Sequence, residues 1–476
     1  MTKYKYTLLC ILILLLQTSC KKLVEVDPPV SKIVTATAFN NDNTATSALI
    51  NIYKNMYEAR ASYDMELQTG LYGDELTNFS HNSGFETYYT NLLSADGGPG
   101  FWSRAYNYIY QANAIIEALK NNTAISRAVG DQLSGECKFI RAFWHFYLTN
   151  AYGDVPLVTT TDYNFNAAIS RIPKIKVYDQ IIIDLKDAQN LLNSNFVDAS
   201  DTAITSERVR PTSWAATALL ARVYLYKEDY ANAEAQAASV IDNNSMFGLV
   251  SDLSQVFLAN STEAIWQLQT PLVGGSNDGR NTWDAVNFIL PASTDPISIS
   301  PQLMSAFEVG DNRKTNWTGV FTDNTVSPAV DYYYPFKYKI QVDNDPSNTE
   351  EYTMMLRLAE QYLIRAEARA QLDNTNGALS DLNNIRERAG LGDYTGATDK
   401  NSLLAAILHE RQAELFTEWG HRWFDISRTG AVDTIMGAPG NVCQFKGGTW
   451  SPNWKLFPIP QEDINADYNL TQNSGY

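Results

Sequence analysis

Two alanine-rich runs, Trp214 to Tyr226 and Tyr230 to Ile241, stand only three residues apart, joined by Lys227-Glu228-Asp229. Leu220, Ala221, Tyr224, Ala233 and Ala237 recur at helical spacing within them. Small residues on facing sides let two helices approach closely, and the tyrosine fills the groove between them. A chain carrying such a unit must stack helices on helices.

A second unit follows the same plan. Arg357–Leu372 places Ala359, Tyr362, Leu363, Ala366 and Ala370 on one face, Asp373 to Gly377 makes the turn, and Ala378 to Arg388 returns. Looser pairs can be drawn between 102–120 and 131–150, and between 177–193 and 212–226. Helical patterning begins near Thr44, with Ala48, Ile52, Met56 and Ala59 in step. The expected fold is all-α: about four tetratricopeptide-like hairpins in no unbroken array. Residues 60–101 and 430–476 read as irregular. Residues 251–350, rich in Gly, Pro, Asn, Asp and Ser, read as a long loop-rich insertion with short β-like runs at Ala264–Thr270 and Asp331–Val342. So long a non-helical insertion in a helical scaffold points to binding.

The N-terminus addresses the chain. Lys3 and Lys5 precede the apolar run Leu8 to Leu16, then Gln17-Thr18-Ser19-Cys20. That is a secretory signal over residues 1–19, too short to span a bilayer. A cysteine directly after small residues marks Cys20 for lipidation; ordinary secretion with Cys20 incidental is the alternative. Residues 20–35 then form an extended tether stiffened by Pro28-Pro29, and 36–476 the folded body.

Net charge is −17, and loss of residues 1–19 removes two lysines and no acids, leaving −19. Such a body repels nucleic acid phosphates. Cys137 and Cys443 remain after the signal and Cys20 are set aside. They could bridge in an envelope setting, or lie buried as free thiols, as the core-like surroundings of Cys137 favour. The four histidines, His81, His145, His409 and His421, show no metal-site spacing, and His409-Glu410 lacks the second histidine of a metalloprotease helix. Gly97-Gly98-Pro99-Gly100 and Gly274-Gly275 lack the residues of a phosphate loop and read as turns, and no G-x-S-x-G elbow occurs. Asp343, Asp345 and Glu350/Glu351 suggest a calcium loop only faintly, for the central glycine is missing. No catalytic residue, metal or cofactor is expected, although abundant carboxylates leave a glycosidase pair open.

Several segments together resemble one family. They are Gly135 to Phe143 with Tyr152-Gly153-Asp154-Val155-Pro156, Leu358 to Ala368 with Asn384 to Gly390, Glu410 to Leu415 with Trp419 to Asp425, and Leu456 to Gln461 with Leu470 to Tyr476. This combination resembles the SusD/RagB family of Bacteroidota outer-membrane lipoproteins. The resemblance implies a non-enzymatic lipoprotein held in the outer membrane and facing outward. It would sit as a lid on a SusC-like TonB-dependent transporter, catching oligosaccharide, or in some members peptide. A pure protein-interaction scaffold and a surface glycosidase are the more distant alternatives.

The resemblance also directs attention to two ligand-binding segments, 63–102 and 270–340. Sugars stack their C–H faces on aromatic rings while Asp, Asn and Arg read hydroxyls. The first segment offers Asp74, Asn78, Phe79, Tyr88, Tyr89 and Trp102. The second offers Asn281, Trp283, Asp284, Trp317 and Tyr332-Tyr333-Tyr334. From these the expected ligand-binding set is Asp74, Asn78, Tyr88, Trp102, Asn281, Trp283, Asp284, Trp317 and Tyr333. The charges inside the motifs, Arg141, Glu360, Arg365, Arg411, Glu414, Arg422 and Asp425, sit among apolar helix positions. They are expected to pair with one another and knit the scaffold.

Overall fold

The computed structural model describes residues 38–476 apart from 81, 98–99, 273–278, 291, 293–295, 344, 346–348 and 438–440. The signal, Cys20 and the tether lie outside the described residues, as do His81, Gly98-Pro99 and Gly274-Gly275.

The helices run α1 Asp42–Glu58, α2 Ala61–Tyr72, α3 Ser83–Tyr89, α4 Phe101–Leu119, α5 Arg127–Tyr152, α6 Lys174–Leu191, α7 Ser213–Tyr226 and α8 Tyr230–Ile241. They continue with α9 Trp283–Phe288, α10 Leu358–Gln371, α11 Thr375–Arg388, α12 Lys400–Leu415 and α13 His421–Arg428. Six strands matter to the site: β1 Leu76–Asn78, β2 Ala264–Leu268, β3 Ile297–Ile299, β4 Thr318–Asp323, β5 Val330–Pro335 and β6 Thr353–Arg357. The protein is mostly helical, with small antiparallel sheets.

The expected helix pairs are all present, and each packs on the next: α4 on α5, α5 on α6, α6 on α7, α7 on α8, α8 on α10, and α10 on α11 and α12. Close approach rests on alanine. Ala218, Ala221, Ala233, Ala237, Ala366 and Ala378 are completely buried. The two clearest units even share their turn. After α7, Glu228 adopts φ +62° and Asp229 caps α8 by accepting the Asn232 N–H. After α10, Asp373 adopts φ +61° and Asn374 caps α11 through the Gly377 N–H. In both, a left-handed residue reverses the chain and a short polar side chain starts the returning helix.

The motif charges are paired. Arg141 meets Asp184 at 2.6 Å, Glu360 meets Arg222 at 2.6 Å, Arg365 meets Asp381 at 2.8 Å and Arg411 meets Asp425 at 2.6 Å. Glu414 is shared by Arg357, Arg388 and Arg313. Glu263 at the head of β2 joins that knot through Arg357 and Arg388, pinning the insertion to α11 and α12. Removing one partner of such a pair strands a buried charge at about 3–5 kcal/mol. His421 lies within the core, and burial holds its imidazole neutral, well below the ordinary value. Cys137 and Cys443 are both buried free thiols, which decides against the bridge.

The expectation of irregular structure over 60–101 is corrected by α2. Ten of its twelve residues are buried, Glu66, Thr69 and Gly70 among them. A helix covered on every side has no polar face to mark its period, so its buried polar residues read as loop. The β-like run at 331–342 also ends early, at Pro335.

Candidate functional site

β1 pairs antiparallel with β3, Leu76 opposite Ile299 and Asn78 opposite Ile297, and the Phe79 N–H extends the ladder to the Pro296 carbonyl at 3.0 Å. This seam draws the first irregular segment against the second. The hairpin of β4 and β5 packs on β3.

Period-two alternation puts Tyr332 and Tyr334 on one face of β5 and Tyr333 on the other. Tyr332 stands opposite Phe321, and Tyr334 opposite Gly319. The Tyr334 ring lies across that glycine: a Cβ there would fall 2.2 Å from the Tyr334 Cζ, so glycine is required for the ring to lie flat. Tyr332 meets Phe79 edge to face, with centroids 5.1 Å apart at 71°. Phe79 keeps 39% of its surface exposed, which leaves ring area for a ligand. Behind it Asn78 donates to Glu86 at 2.9 Å and accepts from the Ser80 N–H and hydroxyl. The result is an aromatic face of Phe79, Tyr332, Tyr334 and Phe321, with Asn78 buried behind it and holding the exposed Glu86. Two segments far apart in sequence build it together.

A second aromatic cluster surrounds Trp283. Arg280 lies 4.4 Å and Arg60 5.6 Å from its ring centroid, and Tyr57 packs at 6.4 Å. The Trp283 ring is thus half-buried and already stacked by guanidinium groups. Burial pushes the Tyr57 phenol up to about 12, and its hydroxyl donates to the Asn281 carbonyl. Asn281 itself is buried. Its Oδ1 accepts from the Glu350 and Glu351 N–H groups, and its Nδ2 donates to Asp343 at 2.8 Å. Asn281 therefore staples the loop containing Asp343 to α9. Among the described residues, no group of three or more His, Cys, Asp or Glu gathers in a way that could hold a metal.

Several expected ligand contacts occupy the interior in this structure. Asp74 holds Arg422 in a two-pronged pair, 2.9 Å to Nε and 2.6 Å to Nη2, with both carboxylate oxygens used. Trp317 is fully buried and donates its indole N–H to the Leu253 carbonyl. Asp284 is buried near Glu66, and burial raises both carboxyls above their usual range. Tyr88 is buried, its phenol raised by burial. Tyr333 is half-buried and packs on the core cluster that includes Phe257, Trp317 and Tyr338. Trp102 is 2% exposed and packs edge-on against Tyr106 and Tyr152. The structure thus sets Asn78 beside the aromatic face, leaves Trp283 half-covered, and gives scaffold contacts to the rest. Phe79 and Tyr332 belonged to the aromatic runs of the sequence, but nothing local marked them above their neighbours. Arg60 and Gly319 gave no signal at all.

The mostly helical body carries irregular insertions that present aromatic side chains. The comparisons place it: the chain belongs to the SusD family. The SusD family model matches residues 263–476, and a second model, described as starch-binding and associating with the outer membrane, matches residues 25–225. The chain is 27% identical to SusD-like protein P2 of Formosa agariphila across the full length of both. Among solved structures, a SusD superfamily protein of Bacteroides vulgatus superposes with a TM-score of 0.78 at 21% identity, covering 92% of this chain and all of that one. A laminarin-binding SusD-like protein superposes with a TM-score of 0.73 at 22% identity, again covering 92% of this chain and all of its own. No helix among the described residues is long and apolar enough to cross a membrane.

Proposed function

We propose that this protein captures an oligosaccharide on the face formed by Phe79 and Tyr332 and delivers it to a SusC-like TonB-dependent transporter. In this reading it is held in the outer membrane by lipid on Cys20, faces outward and performs no catalysis. The observation that carries the reading is the Phe79–Tyr332 pair, which keeps an exposed aromatic ring, with the exposed carboxylate of Glu86 held close by its hydrogen bond from buried Asn78. A pyranose ring presents an apolar C–H face and a rim of hydroxyls, and such a site answers both. A family model described as starch-binding and a laminarin-binding neighbour support the carbohydrate class. Trp283 with its two arginines extends the candidate surface.

The test is a glycan panel on the soluble body from residue 21, followed by Phe79→Ala and Tyr332→Ala on any ligand found. Loss of a stacking ring costs about 0.5–1.5 kcal/mol beyond area effects, so each change should weaken binding roughly tenfold once buried area is included. Unchanged affinity in both variants would reject this face. Binding of peptides alone would turn the assignment to the peptide class, and release of reducing ends from a polysaccharide would overturn the non-enzymatic reading.

A further inference from the structure

The turns after α7 and α10 share one backbone structure. Lys227, Glu228 and Asp229 donate their N–H groups to the carbonyls of Val223, Leu225 and Tyr224. Leu372, Asp373 and Asn374 donate to those of Ala368, Ala370 and Arg369, at the same spacing. Each turn has an acid at its left-handed position, Glu228 in the first and Asp373 in the second, where glycine or asparagine would hold the backbone at less cost. In the second turn the acid has a partner. Lys400, the first residue of α12, brings its Nζ to 2.8 Å from the Asp373 carboxylate and 2.9 Å from the Gln371 carbonyl. One ammonium thus answers both the acid and a carbonyl that the end of α10 leaves without an N–H.

The counterparts of these two acceptors in the first turn are the Glu228 carboxylate and the Tyr226 carbonyl. Among the described residues neither receives a hydrogen bond, and Glu228 meets no Lys or Arg. The adjacent Lys227 turns instead to Asp179 at 2.9 Å. A cavity of about 330 Å³ opens beside this turn, within the roughly 300–1,000 Å³ of small-ligand sites. Tyr226, Glu228 and Tyr230 line it together with Leu404 and Leu408 of α12. Arg428 also reaches the wall, but its donors are taken. It holds Glu367 through bonds of 2.6 and 2.7 Å and Asp425 through one of 2.9 Å, with its guanidinium over the Tyr226 ring. An anion therefore finds no free cation here, and the one charge on the wall without a partner is the Glu228 carboxylate. Glu228 is exposed, and Tyr230, Leu404 and Leu408 are half-buried, so solvent reaches them all.

We infer that this cavity binds an alkylammonium group, its nitrogen held by Glu228 and the Tyr226 carbonyl as Lys400 is held by Asp373 and Gln371, and its methylene stem lying against Leu404, Leu408 and the Tyr230 ring. The group belongs to a free amine or to a lysine of a partner polypeptide. The site shares no residue with the Phe79–Tyr332 face, so it stands or falls apart from glycan binding.

The experiment titrates the soluble body from residue 21 at neutral pH, by saturation-transfer NMR, with n-butylamine, with Nα-acetyl-L-lysine methylamide and with 1-butanol as the uncharged control. Both amines should bind more tightly than butanol. Glu228→Gln should weaken them about fivefold, the worth of an ion pair at a partly open site. Ala405→Trp should abolish their signal by filling the cavity that Ala405 lines. Both positions are exposed, so the variants keep the fold, and their Tm values check this. Tighter binding of the capped lysine assigns a polypeptide as the source, and equal binding of the two amines assigns a free amine; either upholds the site. No amine signal, amine affinity unmoved by Glu228→Gln or by Ala405→Trp, or butanol binding as well as butylamine would each overturn the inference.

Discussion

Replacing Asp74 by alanine separates a scaffold residue from a ligand contact. Asp74 and Arg422 are almost sealed from water, with side chains 4% and 8% exposed, and they meet through two charge-assisted hydrogen bonds. Asp74→Ala leaves the guanidinium buried without that partner, at about 3–5 kcal/mol. Unfolding entropy near 2.1 cal/mol/K per residue gives about 1 kcal/mol/K for a chain of this size, so Tm should fall by about 3–5 °C. A pH dependence follows from the neighbour. Glu75 is pushed up to about 8, first by burial and then by Asp74 itself, while Arg422 pulls it down. Without Asp74 its pKa drops, and as pH rises the ionised Glu75 can answer Arg422, so the deficit should narrow above neutral pH. Differential scanning calorimetry at pH 6 and pH 8, together with glycan titration of the folded variant, tests both parts. Affinity per folded molecule should match the parent. An unchanged Tm with lost glycan affinity would refute the reasoning and return Asp74 to the binding site.

Glu75→Gln tests the same pocket by linkage. Between about 4.5 and 8 the unfolded chain releases a proton that native Glu75 keeps, so native stability falls as pH rises through that window. At about 1.4 kcal/mol per unit the fall amounts to about 4–5 kcal/mol, and denaturant melts of the Gln variant should show a flatter slope; parallel slopes would mean that Glu75 is ionised. Arg222→Met removes the guanidinium that Glu360 holds at 2.6 Å in a fully buried pair, and chemical denaturation should register a loss of about 3–5 kcal/mol. Gly319→Val places side-chain atoms where the Tyr334 ring lies, so it should disturb the aromatic face and weaken glycan binding with little change in the Tm of the body. Reductant should leave Tm unchanged, because Cys137 and Cys443 are separate buried thiols; a downward shift would indicate a bridge.

The helical hairpins were legible because their signal is local. Alanine at helical spacing and a short polar turn report a close helix pair within thirty residues of chain, and the structure repeats that turn at Glu228-Asp229 and Asp373-Asn374. Charges lodged among apolar positions likewise announced buried pairs, since a lone charge there would be too costly. The partners were less legible: Asp184 for Arg141 and Arg222 for Glu360 come from other helices, and helix packing selected them.

The amino-acid sequence by itself determined the helical scaffold, the need to pair its buried charges and the family to which the chain belongs. Tertiary structure alone decided which aromatic and polar residues face solvent. Trp317, Asp284 and Asp74 have the composition of a binding surface and lie in the interior, whereas Phe79 meets Tyr332 across a seam spanning more than half the chain. Exposure depends on what the rest of the fold places over a side chain. No local pattern carries that information when the covering residues are hundreds of positions away.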